Sequence, residues 1–298
     1  MKSILITQKN QKNVTLFVFL IIPSILLILF VVFPLLKLFQ LGFTNWDGLS
    51  KELMYVGLNN YKEIFTSSPD VWLSLRNNAL YFFIHLFFIP IELFIAYILD
   101  SKLKCIEFFK KIIFMPYIIN GVAVSYMFAA IFAPDYAAGA LNMILNQLHL
   151  EKYALDWLSD PRIVNFTLVF VSLWRFSGMH VVLFLAGMQS IPNELYEASR
   201  IDGANMFQQF FRITLPSIVT VIEIVLFLNV QGALQVFDIP FVMTSGGPGH
   251  ASSTFSVYTI ETAFKYNNIG KAASMAVVLF FLIIIISKLQ NLILKDKE

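Results

Sequence analysis

Cysteine is nearly absent, with Cys105 alone in 298 residues. That excludes an internal disulfide and a multi-cysteine metal site. Histidine is scarce as well, and His85, His149, His180 and His250 are scattered without zinc-ligand spacing. Charged residues make up only 13% of the chain and apolar ones 58%, whereas soluble domains average about 25% and roughly 45–50%. No Gly-x4-Gly-Lys-Ser/Thr occurs, so the chain lacks the phosphate cradle of an ATPase. Gly246-Gly247-Pro248-Gly249 has no following Lys and reads as a turn. No paired carboxylates, Ser/His or Cys/His constellation marks an enzyme.

The apolar residues are gathered into long runs, which makes this an integral membrane protein. Mean hydropathy is +0.73, and 31 Phe suit lipid-facing helices. The runs predict six spans, at about 14–41, 78–99, 112–133, 163–188, 216–237 and 272–292, in one all-α domain with no internal repeat. The first run exceeds the 7–15 residues of a signal-peptide core and has no small-x-small site after it, so it is expected to stay as a span. Trp46, Tyr55, Tyr61 and Trp72 suit a membrane–water boundary. The apolar spacing of Leu141–Leu150 predicts a short amphipathic helix. Lys and Arg concentrate at the two chain ends, in the 102–111 turn (Lys102, Lys104, Lys110, Lys111) and in the 189–215 segment. The positive-inside rule therefore places both termini and that segment in the cytoplasm.

The 189–215 segment is the longest polar interruption between spans on that side. Pro192 and Asn193 open a helix, Asn193 capping it and Glu194 favouring its positive end. Gly203 ends it, because glycine takes a left-handed cap without penalty. A second helix, 205–214, carries Phe207, Phe210 and Phe211 and leads to Pro216, placed where a helix start needs no N–H. Small residues at Ala198, Ser199, Gly203 and Ala204 let another surface approach the backbone. An ordinary amphipathic helix lying on the bilayer would share much of this pattern.

The run Ile191-Pro192-x-Glu194-Leu195-Tyr196-Glu197-Ala198-Ser199-x-x-Asp202-Gly203-Ala204, with Ile213-Thr214-Leu215-Pro216 after it, resembles the coupling loop of permease subunits in binding-protein-dependent ABC importers. Tyr55-Val56-Gly57-Leu58-x-Asn60-Tyr61, Phe114-Met115-Pro116, Leu185-Ala186-Gly187-Met188-Gln189, Thr244-x-Gly246-Gly247-Pro248 and Ala263-Phe264 extend the similarity, which is greatest to the maltose and oligosaccharide class. Ser199 departs from the family's second Ala. The resemblance implies a type I (MetI-like) permease fold in a bacterial cytoplasmic membrane and a sugar substrate. It also implies four partners: a second homologous permease, two cytoplasmic ATPase subunits and an extracytoplasmic solute-binding protein. No cofactor, metal or nucleic acid is expected. By the same resemblance Glu197, Ala198, Ser199, Asp202, Gly203, Ala204, Leu215 and Pro216 serve ATPase coupling. Thr244, Gly246, Gly247 and Pro248 would contact the binding protein.

Polar groups inside spans are functional candidates, because burying them is costly. Lys37 lies near a span end and can snorkel. Glu92 and Glu223 are read as helix–helix contacts. Ser172, Arg175, Phe176 and Met179 share one face of span four at i, i+3, i+4, i+7 spacing, and Asn229, Gly232, Ala233 and Val236 do the same in span five. Together the two faces either line the substrate pathway or pack against the partner permease. Two other functions stay open: a permease for a phosphorylated polyol, since Arg175 attracts anions, and a secondary transporter using Glu92 or Glu223 as proton carrier, although the paired repeats of such folds are missing.

Overall fold

A computed structural model describes residues 8–100, 106–134 and 139–295. Lys2, Lys102, Lys104, Cys105 and Lys297 lie outside the described residues. The helices run α1 Gln8–Leu27, α2 Phe33–Gly42, α3 Asn59–Thr66, α4 Pro69–Leu99, α5 Ile106–Ile118, α6 Gly121–Ile131, α7 Ala140–Gln147, α8 Val164–Gln189, α9 Asn193–Ile201, α10 Met206–Gln209, α11 Leu215–Ser217, α12 Val219–Gln235, α13 Asp238–Thr244, α14 Phe255–Phe264 and α15 Ile269–Lys295. Among the described residues the only strand-like pairing is one bridge, Thr44 to Tyr55.

By length and apolarity five helical stretches can cross a membrane: Thr15–Gly42, Pro69–Leu99, Val164–Gln189, Val219–Thr244 and Ile269–Leu292. The sixth differs from the straight span expected at about 112–133. It is a bent pair, α5 and α6, inclined at 96°. Pro116 lies in the last turn of α5, and Asn120 takes an extended backbone while its side chain accepts from the Val122 N–H at 2.9 Å, starting a new helix. The fifth span also breaks. Helical geometry stops at Gln235, Val236 is extended, and α13 begins at Asp238.

Contacts divide the chain into two compact units, the first reaching to Ser67 and including Glu261–Val278. There the first span passes through a π-helical turn, Ile28–Val32, just ahead of Pro34. The polar stretch behind it is ordered by its own hydrogen bonds. Asn60 Nδ2 reaches the carbonyls of Gly42 and Thr44 at 3.0 and 2.7 Å, and Lys271 pairs with Glu63 at 2.6 Å. Asp47 Oδ1 accepts from Ser50 N, Leu49 N and Ser50 Oγ, which lowers its pKa to about 2.

The second unit, Ser68–Ile260 with Leu279 onward, is built on α4 packed along α8, with α5 and α12 against them. Two apolar clusters fill it. One joins Ile89, Leu93, Ala96 and Leu99 of α4 to Val181, Phe184, Leu185 and Met188 of α8 and Val225 of α12. It continues beneath the 189–215 segment, where Tyr196, Phe210 and Ile213 pack on it. The other joins Tyr81 of α4 and Leu168, Val169 and Leu173 of α8, nearer the opposite ends of those helices, to Val124 and Phe128 of α6 and Ile239 and Met243 of α13. Between the two clusters the helices turn polar side chains toward one another.

Candidate transport cavity and coupling segment

All eight residues singled out on spans four and five line one cavity, of about 320 Å³, at the level between the apolar clusters: Ser172, Arg175, Phe176, Met179, Asn229, Gly232, Ala233 and Val236. The i, i+3, i+4 spacing holds along α8 and for Asn229, Gly232 and Ala233 on α12, whereas Val236 lies past the end of α12 and reaches the cavity from the break. Tyr81, His85, Tyr117, His180, Leu228, Gln231, Gln235, Phe237, Asp238 and Ile239 complete the wall. Gly232 and Gln235 are exposed to it, while Ser172 and Asn229 are buried and already bonded. Ser172 Oγ lies 3.0 Å from His85 Nε2, and Asn229 Nδ2 donates to the Phe82 carbonyl at 3.3 Å. Part of this polar face thus holds α4 to α8 and α12.

Arg175 does not stand in the cavity as a free cation. Its Nη1 lies 3.0 Å from Asp238 Oδ2, and its guanidinium sits 4.8 Å over the Phe176 ring. Aromatic rings and neutral amides therefore surround a charge pair that sums to zero. This suits sugars, which offer apolar ring faces and many hydroxyls.

Glu92 joins helices, as expected: Oε2 lies 2.8 Å from His180 Nδ1, and both residues are buried between α4 and α8. Glu223 lies with Thr220 of α12 beside Ser287, Lys288, Gln290 and Asn291 of α15.

The 189–215 segment forms two short helices, with one correction at each. Pro192, not Asn193, occupies the cap of α9, so no side chain caps it and Asn193 is its first helical residue. After Gly203, whose φ of +78° no side chain is near enough to oppose, Asn205 and Gln208 form a reciprocal capping box that starts α10. That helix ends at Gln209 and passes into a π-helical turn, Phe210–Thr214, where one continuous helix was expected. Glu197, Ala198, Asp202, Gly203 and Pro216 are exposed, and Ser199, Ala204 and Leu215 half-buried. Ser199 is tied inward: its Oγ donates to Tyr196 O at 2.8 Å and accepts from Gln209 Nε2 at 2.8 Å. Apolar side chains stand in solvent around this knuckle, Ile201 at 87% and Phe207 at 76% exposure.

In the 244–249 turn Gly246 is buried at φ +81° and Thr244, Gly247 and Pro248 are half-buried, leaving Ser245 and Gly249 to face outward. Ser252 Oγ reaches both Thr244 Oγ1 and Gly247 O. The turn is anchored by asparagines that the sequence reading did not single out. Asn77 Nδ2 donates to the Ala251 and Ser253 carbonyls at 2.8 Å, and Asn165 Nδ2 to Ala251 O at 2.8 Å. Asn78 Nδ2 donates to Ala233 O and Leu234 O, carbonyls freed where α12 stops, and Thr254 Oγ1 donates to Val236 O at 2.8 Å. An amide inside or beside a predicted span is the signal that would have found them.

Comparisons with known proteins agree with this architecture. The chain is 34% identical over 280 residues to the multiple sugar-binding transport system permease protein MsmF of Streptococcus mutans, covering 94% of this chain and 95% of that one. It is 33% identical over 287 residues to the probable ABC transporter permease protein YurN of Bacillus subtilis, covering 94% and 96%. Among solved structures, a chain of a bacterial ABC transporter that imports the acidic polysaccharide alginate superposes with a TM-score of 0.84 at 20% identity, over 97% of this chain and 98% of that one. With residues 9–297 matching the family of binding-protein-dependent transport system inner membrane components, this chain belongs to that family and is a membrane-embedded transport subunit.

Proposed function

We propose that this subunit carries a neutral sugar or oligosaccharide through the cavity between α8 and α12, working with a second permease, two ATPase subunits and an extracytoplasmic binding protein. The observation that carries the substrate class is the neutralised cavity. Arg175 is matched by Asp238 and the wall residue His180 by Glu92, His85 is bonded to Ser172, and the other polar wall groups are the amides of Asn229, Gln231 and Gln235 and the hydroxyls of Tyr81 and Tyr117. A phosphorylated polyol would need an unpaired cation. Relatives whose names refer to sugar-binding, arabinooligosaccharide and trehalose/maltose transport point the same way.

The exposed knuckle of α9, with Glu197, Ala198 and Gly203 on it, is the docking point for an ATPase. The chain supplies no nucleotide site of its own, and ATP-driven closure of the ATPase pair reaches α8 and α12 through this rigid segment. Lys and Arg placement puts both termini and α9 in the cytoplasm, and the 244–249 turn then meets the binding protein. The test is co-purification in detergent with candidate ATPase and binding-protein chains, followed by an ATPase assay with loaded binding protein. Stimulation by a neutral sugar is expected; transport by the purified chain alone overturns the reading.

A further inference from the structure

We propose that Asp238 is a positioning residue of the transport cycle: its ion pair with Arg175 latches the half-spans α6 and α13 onto α8 and keeps the cavity shut on the side away from the 189–215 segment. Arg175 lies ~21 Å along α8 from that segment at 1.5 Å per residue, with only Ser172 of the α8 lining farther away, and Asp238 follows the end of α12, so the pair lies toward the far end of the cavity.

Two broken spans meet at this point. The α5–α6 pair breaks at Ile119–Asn120 and the fifth span at Val236–Phe237. The outer pieces, α6 and α13, pack on each other. They also share the far apolar cluster, with Val124 and Phe128 from α6 and Ile239 and Met243 from α13. They are therefore built to move together, as a lid hinged at two breaks. Gly121 begins α6 directly beneath the ion pair. A Cβ there would overlap both the Arg175 guanidinium and the Asp238 carboxylate. Its φ is not in the left-handed region, so the effect of a side chain there is to displace the ends of these two side chains. The carboxylate also lies over the first residue of α6, where the helix dipole favours negative charge.

The contact is made for release. Only Nη1 of Arg175 reaches Asp238, and Nε is buried without an acceptor among the described residues. The Asp238 side chain is 45% exposed. One solvated N–H···O contact falls short of the bidentate Arg–carboxylate pairs that fix structure permanently.

The latch concerns access to the cavity and not the sugar, so its test contains no ligand. In the importer assembled with its partner permease and ATPases in proteoliposomes, Cys105 is replaced by Ser and Gly232 by Cys. A membrane-impermeant maleimide is then added from the face opposite the ATPases, without nucleotide. Asp238→Asn and Arg175→Gln are each expected to raise the labelling rate about tenfold, equal to about 1.4 kcal/mol of bias toward closure. The exchanged pair, Arg175→Asp with Asp238→Arg, should return the rate to within roughly threefold of the parent. Rescue assigns the effect to the ion pair and not to either side chain alone. Should the single variants fail to assemble, Gly121→Ala wedges the pair apart with both charges kept, and it too should speed labelling. Parent-like labelling in assembled Asp238→Asn, or in assembled Gly121→Ala, overturns the latch. If the same complexes still show sugar-stimulated ATPase, the proposed function stands without it.

Discussion

His180 Nδ1 lies 2.8 Å from Glu92 Oε2 in the α4–α8 contact, with Glu92 only 2% exposed and its Oε1 without a hydrogen-bond partner among the described residues. A carboxylate so placed is tolerable only with its partner. Glu92→Leu alone, or His180→Leu alone, should cost about 3–5 kcal/mol and lower the thermal midpoint in detergent. The double variant should lose far less than the two costs added. A double variant as unstable as the sum would mean that the two residues act separately.

Glycines of α8 and α12 should respond in opposite ways. At Gly178 an added Cβ would run into the carbonyl oxygen of Ile113, because α5 packs against α8 there. Gly178→Ala is expected to destabilise by about 1–3 kcal/mol through overpacking. At Gly232 nothing lies within 4 Å, and alanine should be neutral, or stabilising by up to about 1 kcal/mol from helix propensity. Gly232→Leu fills the cavity instead, and sugar-dependent uptake should drop about tenfold with normal assembly. Unchanged uptake would remove α12 from the pathway.

Gly203 separates conformation from contact. Its φ is +78° and no atom crowds a Cβ, so substitutions act through the backbone alone. Asn, which tolerates the left-handed region, should keep most coupling. Val should lose most of it, since the left-handed conformation costs a side-chain-bearing residue about 1–2 kcal/mol and reaiming α9 relieves that strain. Transport per ATP hydrolysed, measured in proteoliposomes, tells the two apart; equal values for Asn and Val would refute the cap's role.

Glu197→Lys changes an exposed residue and should leave insertion and folding intact. Transport should fall about tenfold if α9 docks on an ATPase, equal to about 1.4 kcal/mol of lost docking free energy. Normal transport in this variant would show that the ATPase docks elsewhere.

How far the sequence could be read depended on the range of each interaction. Long apolar runs mark spans whatever surrounds them, since every backbone group in lipid must bond within its own helix. Local chemistry was equally plain at Gly203 and Pro216. The break at Asn120 had a visible local signal, an Asn-Gly pair behind Pro116, masked by apolar residues on both sides. The break at Val236 is followed by Pro240, which has no N–H to bond the Val236 carbonyl four residues back. Its freed carbonyls are satisfied by Asn78 and Thr254, residues that only folding brings there. Ser199 looked like a small substitute for alanine, yet its hydroxyl holds Gln209 ten positions away.

By itself the amino-acid sequence determined a helical membrane subunit, the faces of α8 and α12 that carry polar groups, and the knuckle at Glu197–Gly203, because helical period and hydropathy act over a few residues. Tertiary structure alone decided that Arg175 is neutralised from 63 positions away by Asp238, that Glu92 is paired with His180, and that two spans break at one level. Those outcomes depend on which helices become neighbours, and no local pattern encodes that.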